Sequence, residues 1–469
     1  MNDLSTLQPS WQSRIGSRSM GTKLLVVCGL ALLMIIPSLF VEGIVEDRTR
    51  TAADVVTEIS GHVGGRQTFL GPTLAIPYSL PPQSHGDYVR QGVYLVFPEQ
   101  ATAVLKTTTE ERRRSLFRVP VFQADLKLDG TFDLTGVPAA VPQGAEFDWN
   151  RAELVVGVSD PRGALADATL TANEKTSTLM PAVNAQNISI GGDQNQQLKL
   201  TLFAATADGL AKPNAKFNVS SKLRFSGAER IAVLAYGKTT HLTAQGDWPS
   251  PGFDGGFLPL TRTVSGTGFT AEWSIPFIAR AVRAEGQSDA IAGLDATALG
   301  ISFVETADPY QSVNRSLKYL PLFLGLVFLS YFVFEVTTGK RVHPAQYVLV
   351  GVAQVIFYLL LLSLAERIGF DVSFLLAGAA TVILLSVNAG WVFSSRLEGM
   401  RALVIFTLLY LLIYSLLRLE DNALLVGAVV SFFAITAAMY FTRRIDWYGT
   451  PTIAGDAQGQ TVPMPSNRQ

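Results

Sequence analysis

The sequence predicts an α+β membrane protein: six transmembrane helices plus a large β-rich, sandwich-like extracytoplasmic domain inserted between helix 1 and helix 2. Three observations carry this. Apolar residues gather at 24–41 and again across 319–441. Between them lie short runs of β-branched and aromatic residues broken by Gly, Pro, Asn and Asp, the texture of strands. Only 16% of residues are charged, against about 25% in soluble domains, and the mean hydropathy is +0.28.

Crossing the hydrocarbon core as a helix takes about 20 mostly apolar residues. Six segments meet or approach that length: 22–41, 319–336, 347–365, 372–393, 402–417 and 423–441. The fifth is short, but Arg418 can snorkel and Leu419 extends it. The first is expected to be an uncleaved anchor, because its apolar stretch exceeds a signal core and "IPSLFVEGIVEDR" offers no small-x-small cleavage site. Orientation follows from lysine and arginine placement. One set of flanks holds Arg14, Arg18, Lys23, Lys340, Arg341, Arg396, Arg401, Arg443 and Arg444, while the opposite short loops hold Arg367 and Arg418. The predicted order is therefore a cytoplasmic N-terminus (1–21), transmembrane helix 1 (22–41), a stalk helix (42–65), a periplasmic β-rich domain (66–317), a five-helix transmembrane bundle (318–441) and a cytoplasmic, largely disordered tail (442–469). Such a protein sits in a bacterial inner membrane with both termini cytoplasmic, and the lipid bilayer is its first partner.

Within the large loop, residues 44–59 show near-helical apolar spacing and predict the stalk. "FQADLKLDGTFDL" alternates, with Phe122, Ala124, Leu126 and Leu128 on one face and Gln123, Asp125, Lys127 and Asp129 on the other. That suits an antiparallel sheet with one wet face. The basic run "ERRRS" at 110–115 is expected to be a solvated hairpin end, the alternative being an anion-binding patch. "GDWPSPGFDGGFLPL", 246–260, is expected to be an ordered crossover closing one end of the sandwich. Its alternative is a display of Trp248, Phe253 and Phe257 to a partner. The single cysteine, Cys28, lies in the first apolar run, so the domain has no disulfide and must be stable through its core.

Catalytic patterns are not evident. The histidines at 62, 85, 241 and 343 lack metal-ligand spacing, so no metal site, catalytic residue or cofactor is predicted. A net charge of −1 gives no support for nucleic acid. The spans carry no mid-membrane Asp, Glu or Lys for an ion relay, only neutral Gln354, Ser363, Ser386 and Asn388, which disfavours a coupled transporter. An exporter would need a hydrated path around Gln354 and Asn388.

The polar groups at the membrane boundaries are more informative. On the outer side, Asn314, Arg315 and Lys318 precede the second span, where cations are usually avoided, and Glu366, Glu420 and Asp421 lie in or beside the outer loops. They form a candidate ion-pair collar; the alternative is an anionic headgroup held by the two cations. On the inner side, Glu335, His343, Arg443, Arg444, Asp446 and Trp447 are candidate boundary residues, with His343 expected to cap a helix that starts at Pro344.

Several stretches in order carry a resemblance: "LGPTLAIPY", "LFRVPVFQADLKLDGTF", "WPSPGFDGGFLP", "SVNRSLKY", "HPAQYVLVGVAQVIFYLLLLSLAERIGF", "DNALL" and "TRRIDWY". Together they resemble the CreD family of bacterial inner-membrane proteins, from the first span to about Tyr448. The resemblance implies a role in cell envelope integrity and envelope stress, with links to colicin tolerance, to β-lactam response and to the output of a CreBC-type two-component system. It carries over no catalytic residue. The expected function is a non-enzymatic one: the periplasmic domain binds or organises an envelope component, an anionic lipid or a cell-wall component being the candidates. The alternative is a membrane enzyme acting on a lipid-linked or cell-wall substrate at the domain–membrane junction. Protein partners are unknown.

Overall fold

The computed structural model describes residues 20–81, 89–114, 117–139, 144–185, 189–190, 198–287, 293–303, 309–418 and 423–443. The chain forms two compact units, one of Met1–Thr49 with Ala307–Gln469 and the other of Arg50–Thr306.

The β unit is built on two large sheets, of ten and eight strands among the described residues. In the eight-stranded sheet, the strand Phe117–Asp133 pairs with Gln100–Arg114 on one side, over residues 117–131, and with Lys216–Ala228 on the other, over 121–133. Its side chains alternate as the sequence predicts: Phe122, Ala124, Leu126 and Leu128 are buried, while Gln123, Asp125 and Lys127 face water. The inner faces of both sheets meet in one apolar core, with Leu126 and Phe132 from one sheet and Leu74, Ile76, Leu154 and Val156 from the other. This is a two-sheet sandwich. The strand Gln67–Leu80 runs through its middle and is buried almost throughout.

That central strand breaks register between Leu70 and Thr73. Pro72 has no N–H for the ladder, and Gly71 lies directly under the Tyr236 ring, where an added Cβ would sit 2.5 Å from three ring carbons. The ring cannot retreat, because its hydroxyl donates to the carbonyls of Asp129 (2.8 Å) and Thr102 (3.1 Å). Gly71→Ala is therefore expected to cost about 1–3 kcal/mol through overpacking, read as a lower thermal unfolding temperature of the purified full chain. An unchanged temperature would show that the strand shifts freely at this point.

The two local features of the sequence resolve simply. The arginines at the hairpin end pair with neighbouring acids: Arg112 with Glu110, Arg113 and Arg118 with Glu111, and Arg114 with Glu58. In the 246–260 stretch, Pro251–Gly255 forms an edge strand on Ala298–Phe303. Phe253 packs edge-on against Trp273, and the Trp273 indole donates to the Phe257 carbonyl at 3.0 Å. Trp248, Phe253 and Phe257 thus pack on the core, as an ordered crossover requires.

The helices, in chain order, are α1 (Met20–Leu33), α2 (Ile35–Val63), α3 (Phe277–Arg280), α4 (Pro309–Lys318), α5 (Leu320–Thr338), α6 (Pro344–Ile368), α7 (Phe370–Val392), α8 (Arg396–Arg418) and α9 (Ala423–Thr442). The interruption between α1 and α2 at Met34 lies one turn before Pro37, which cannot donate back to the Leu33 carbonyl. At its far end α2 packs Val56, Ile59 and Val63 against Val119, Val121 and Ala228. Five helices among the described residues are long and apolar enough to cross a membrane: the joined α1–α2 helix, α5, α6, α7 and α8; α9 is a further apolar helix of 20 residues. Large side chains such as Leu375, Leu384, Leu408, Phe432 and Phe433 point outward from them. Exposure of that kind along whole helices is stable in lipid.

Candidate functional site

The wet face of the eight-stranded sheet carries a polar depression of about 600 Å³. Strand register builds it. Thr131 lies between Gln100 and Asn218 on the flanking strands, and Asp129 lies between Thr102 and Ser220. A two-residue step along each strand keeps these side chains on one face. Thr171 pairs with Ser220 from the next strand, and the turn at Asn173 and Glu174, both with left-handed φ (44° and 73°), closes the end. The lining is thus hydroxyls, amides and two carboxylates. Asp129 is held by Lys127 at 2.7 Å. Tyr236 fixes the floor from the core side, and burial pushes its phenol well above the usual range. One group is left over: the Ser220 hydroxyl is buried and has no hydrogen-bond partner among the described residues. It lies beneath the surface of the recess, and the groups a ligand could reach are the exposed side chains of Thr131 and Asn218.

In the helical unit, α4 is a separate amphipathic helix, set off from α5 by Tyr319 with Pro321 in the first turn of α5. It packs across α6, α7 and α8 through buried Tyr310, Val313 and Leu317, and Tyr310 donates to Glu366 at 3.0 Å. Asn314 and Lys318 face outward, and Arg315 is half-buried between the faces. Nearby on the α7–α8 hairpin, Arg418 pairs with Asp371, which also accepts from Tyr414 at 3.2 Å. Glu420 and Asp421 lie outside the described residues.

At the other end of the helices, Glu335 is 2% exposed yet carries a carboxylate. It accepts from Lys23 of α1 (2.5 Å), the Tyr347 hydroxyl of α6 (3.0 Å) and the Val342 N–H of the α5–α6 connection (3.1 Å). The carboxylate therefore ties α1, α5 and α6 together. His343 caps α6, its Nδ1 accepting the Ala345 N–H at 3.2 Å, with Pro344 following. Arg443 is exposed and lies over the Tyr440 ring at 4.2 Å; Arg444, Asp446 and Trp447 lie outside the described residues. Two of the deep neutral groups bond to neighbouring helices, while Ser386 donates to Val382 of its own helix and Ser363 is exposed. Gln354 accepts from Tyr410 at 3.2 Å, and Asn388 donates to Tyr331 at 3.2 Å.

Sequence reasoning placed Glu335 at the inner boundary but did not find its partner, because Lys23 is 312 residues away. The available signal was that Glu335 is the only acid between Tyr319 and Thr338. It also missed the sheet depression, since register alone brings Gln100, Thr131 and Asn218 together.

Long helices apolar around their circumference, joined to a β unit with its own core, define an integral membrane protein with a large folded appendage. The family model described as "Inner membrane protein CreD" matches residues 19–448. The Inner membrane protein CreD of Escherichia coli (strain K12) is 30% identical over 436 residues, covering 91% of this chain and 93% of that one. The chain belongs to the CreD family of inner membrane proteins.

Proposed function

We propose that this chain supports envelope integrity by holding a cell-wall component on the polar face of its β unit. In this reading six helices span the membrane, both termini are cytoplasmic, and the β unit is inserted between the first and second spans on the periplasmic side. The bias of lysine and arginine toward one set of flanks supports that orientation. The observation that carries the binding role is the depression lined by the hydroxyls and amides of Gln100, Thr131, Thr171 and Asn218. Hydroxyls and amides beside two carboxylates, with no cation in the lining, suit a ligand rich in hydroxyls and amides, such as peptidoglycan, better than a polyanion. At the outer end of the helices we propose that Arg315 and Lys318, with Asn314 beside them, offset the charge of Glu366 as an ion-pair collar, which Tyr310 already ties to α4; the other two acids of that collar, Glu420 and Asp421, lie outside the described residues.

The test is co-sedimentation of the purified full chain, in nanodiscs, with isolated peptidoglycan sacculi. Asn218→Ala combined with Thr131→Ala removes two exposed hydrogen-bonding groups. At about 0.5–1.5 kcal/mol per hydrogen bond, binding is expected to weaken by about tenfold with no change in thermal unfolding. Sedimentation that is absent in the natural chain, or equal in the variant, contradicts the reading.

A further inference from the structure

The α7–α8 hairpin carries a furrow along its outward face, and its inner end has a composition the binding role does not use. There the groove has a volume of about 560 Å³ and is walled by Ile383, Val387 and Leu403, with Trp391 at its edge. It continues toward the opposite end as a second apolar groove of about 540 Å³ that shares Ile383 and Leu403. Two glycines shape it. A Cβ on Gly399 would sit 3.2 Å from the Ser386 carbonyl and 3.3 Å from the Gly390 Cα, so the helices approach closely and leave a shallow floor.

The charge at this end is one-sided. Arg396 is exposed at the mouth, beside the hydroxyls of Ser394 and Ser395, and makes no ion pair among the described residues. Lys340 reaches the same place, donating to the carbonyl of Phe393. The acid nearby, Glu398, is neutralised by Arg401 at 2.5 Å. Two cations and two hydroxyls therefore sit where an apolar furrow opens.

We propose that this furrow is a specific site for one anionic phospholipid. An acyl chain lies between α7 and α8, and the phosphate is held by Arg396 with Ser394, Ser395 and Lys340. Charge complementarity selects the occupant: an anionic headgroup gains from both cations, whereas a zwitterionic one brings its own ammonium against them. Bulk lipid would show no such preference.

Native mass spectrometry of the full chain, released from micelles containing equal phosphatidylglycerol and phosphatidylethanolamine, reads this directly. The natural chain is expected to retain phosphatidylglycerol over phosphatidylethanolamine by about tenfold, falling severalfold in Arg396→Gln and to near parity in Arg396→Gln/Lys340→Gln. Val387→Trp, at a 42% exposed position on the furrow wall, places a bulky ring in the furrow and should abolish retention with Arg396 still present. Equal retention of both lipids, or an unchanged preference in Arg396→Gln, overturns the proposal. So does a lipid-independent dimer that Val387→Trp dissociates, because a second copy would then occupy the furrow.

Discussion

Lys23→Met is expected to lower the stability of the helical unit by about 3 kcal/mol, the scale for removing one partner of a buried ion pair. The carboxylate it leaves behind, Glu335, is almost fully buried and would keep only the Tyr347 hydroxyl and the Val342 N–H. Methionine preserves the stem volume, so the loss isolates charge from packing. Lys23→Met with Glu335→Met should recover about half, since an apolar pair removes the stranded charge but orphans Tyr347 and Val342 N–H. The measurement is thermal unfolding in detergent of the two single variants and the double. Additive losses would mean that Lys23 and Glu335 do not act on one another, and that α1 is held by apolar contacts alone.

Arg280→Ala is expected to cost the β unit about 3–5 kcal/mol, with aggregation in place of folding at growth temperature. The side chain is 2% exposed and meets no carboxylate among the described residues. Its Nε donates to the Ala235 carbonyl at 2.8 Å, and its Nη1 to the carbonyls of Val282 (3.3 Å) and Arg283 (3.2 Å). The guanidinium carbon lies over the Phe97 ring, 4.2 Å from its centroid. Burial pushes its pKa down to about 10, so it stays charged at neutral pH. It serves as a cross-brace from the turn at Ala281, held at a left-handed φ of 58°, to the end of a central strand. Truncation leaves three carbonyls short of a donor. Arg280→Lys should cost nearly as much, because an ammonium cannot reproduce the planar fork that reaches both sides. If Arg280→Lys unfolds with the natural chain, charge rather than geometry holds the turn.

Much of the architecture was legible because local patterns and tertiary demands agree. Phe122 to Leu128 alternates in sequence and in burial, since a strand with one wet face must do both. The apolar helices follow from run length alone. The outer approach to the second span was harder. The second span was expected over 319–336 with Asn314, Arg315 and Lys318 leading into it; in the structure they belong to a separate helix, because Tyr319 ends α4 and α5 starts anew, with Pro321 the local sign of the break. Asn314 and Lys318, four residues apart, share the exposed face of α4, but which face meets the other helices depends on Tyr310 reaching Glu366. The depression on the sheet was invisible for a different reason. Gln100, Thr131 and Asn218 are ordinary exposed strand residues until register sets them side by side.

The central claim is that the β unit faces the periplasm, where it can meet the wall. Cys28 is the only cysteine, so Cys28→Ser clears the background. Lys222→Cys then places one thiol on the exposed face of the eight-stranded sheet. A membrane-impermeant maleimide applied to intact spheroplasts is expected to label Lys222→Cys as completely as after lysis. Labelling that appears only after lysis would put the domain in the cytoplasm and contradict the account.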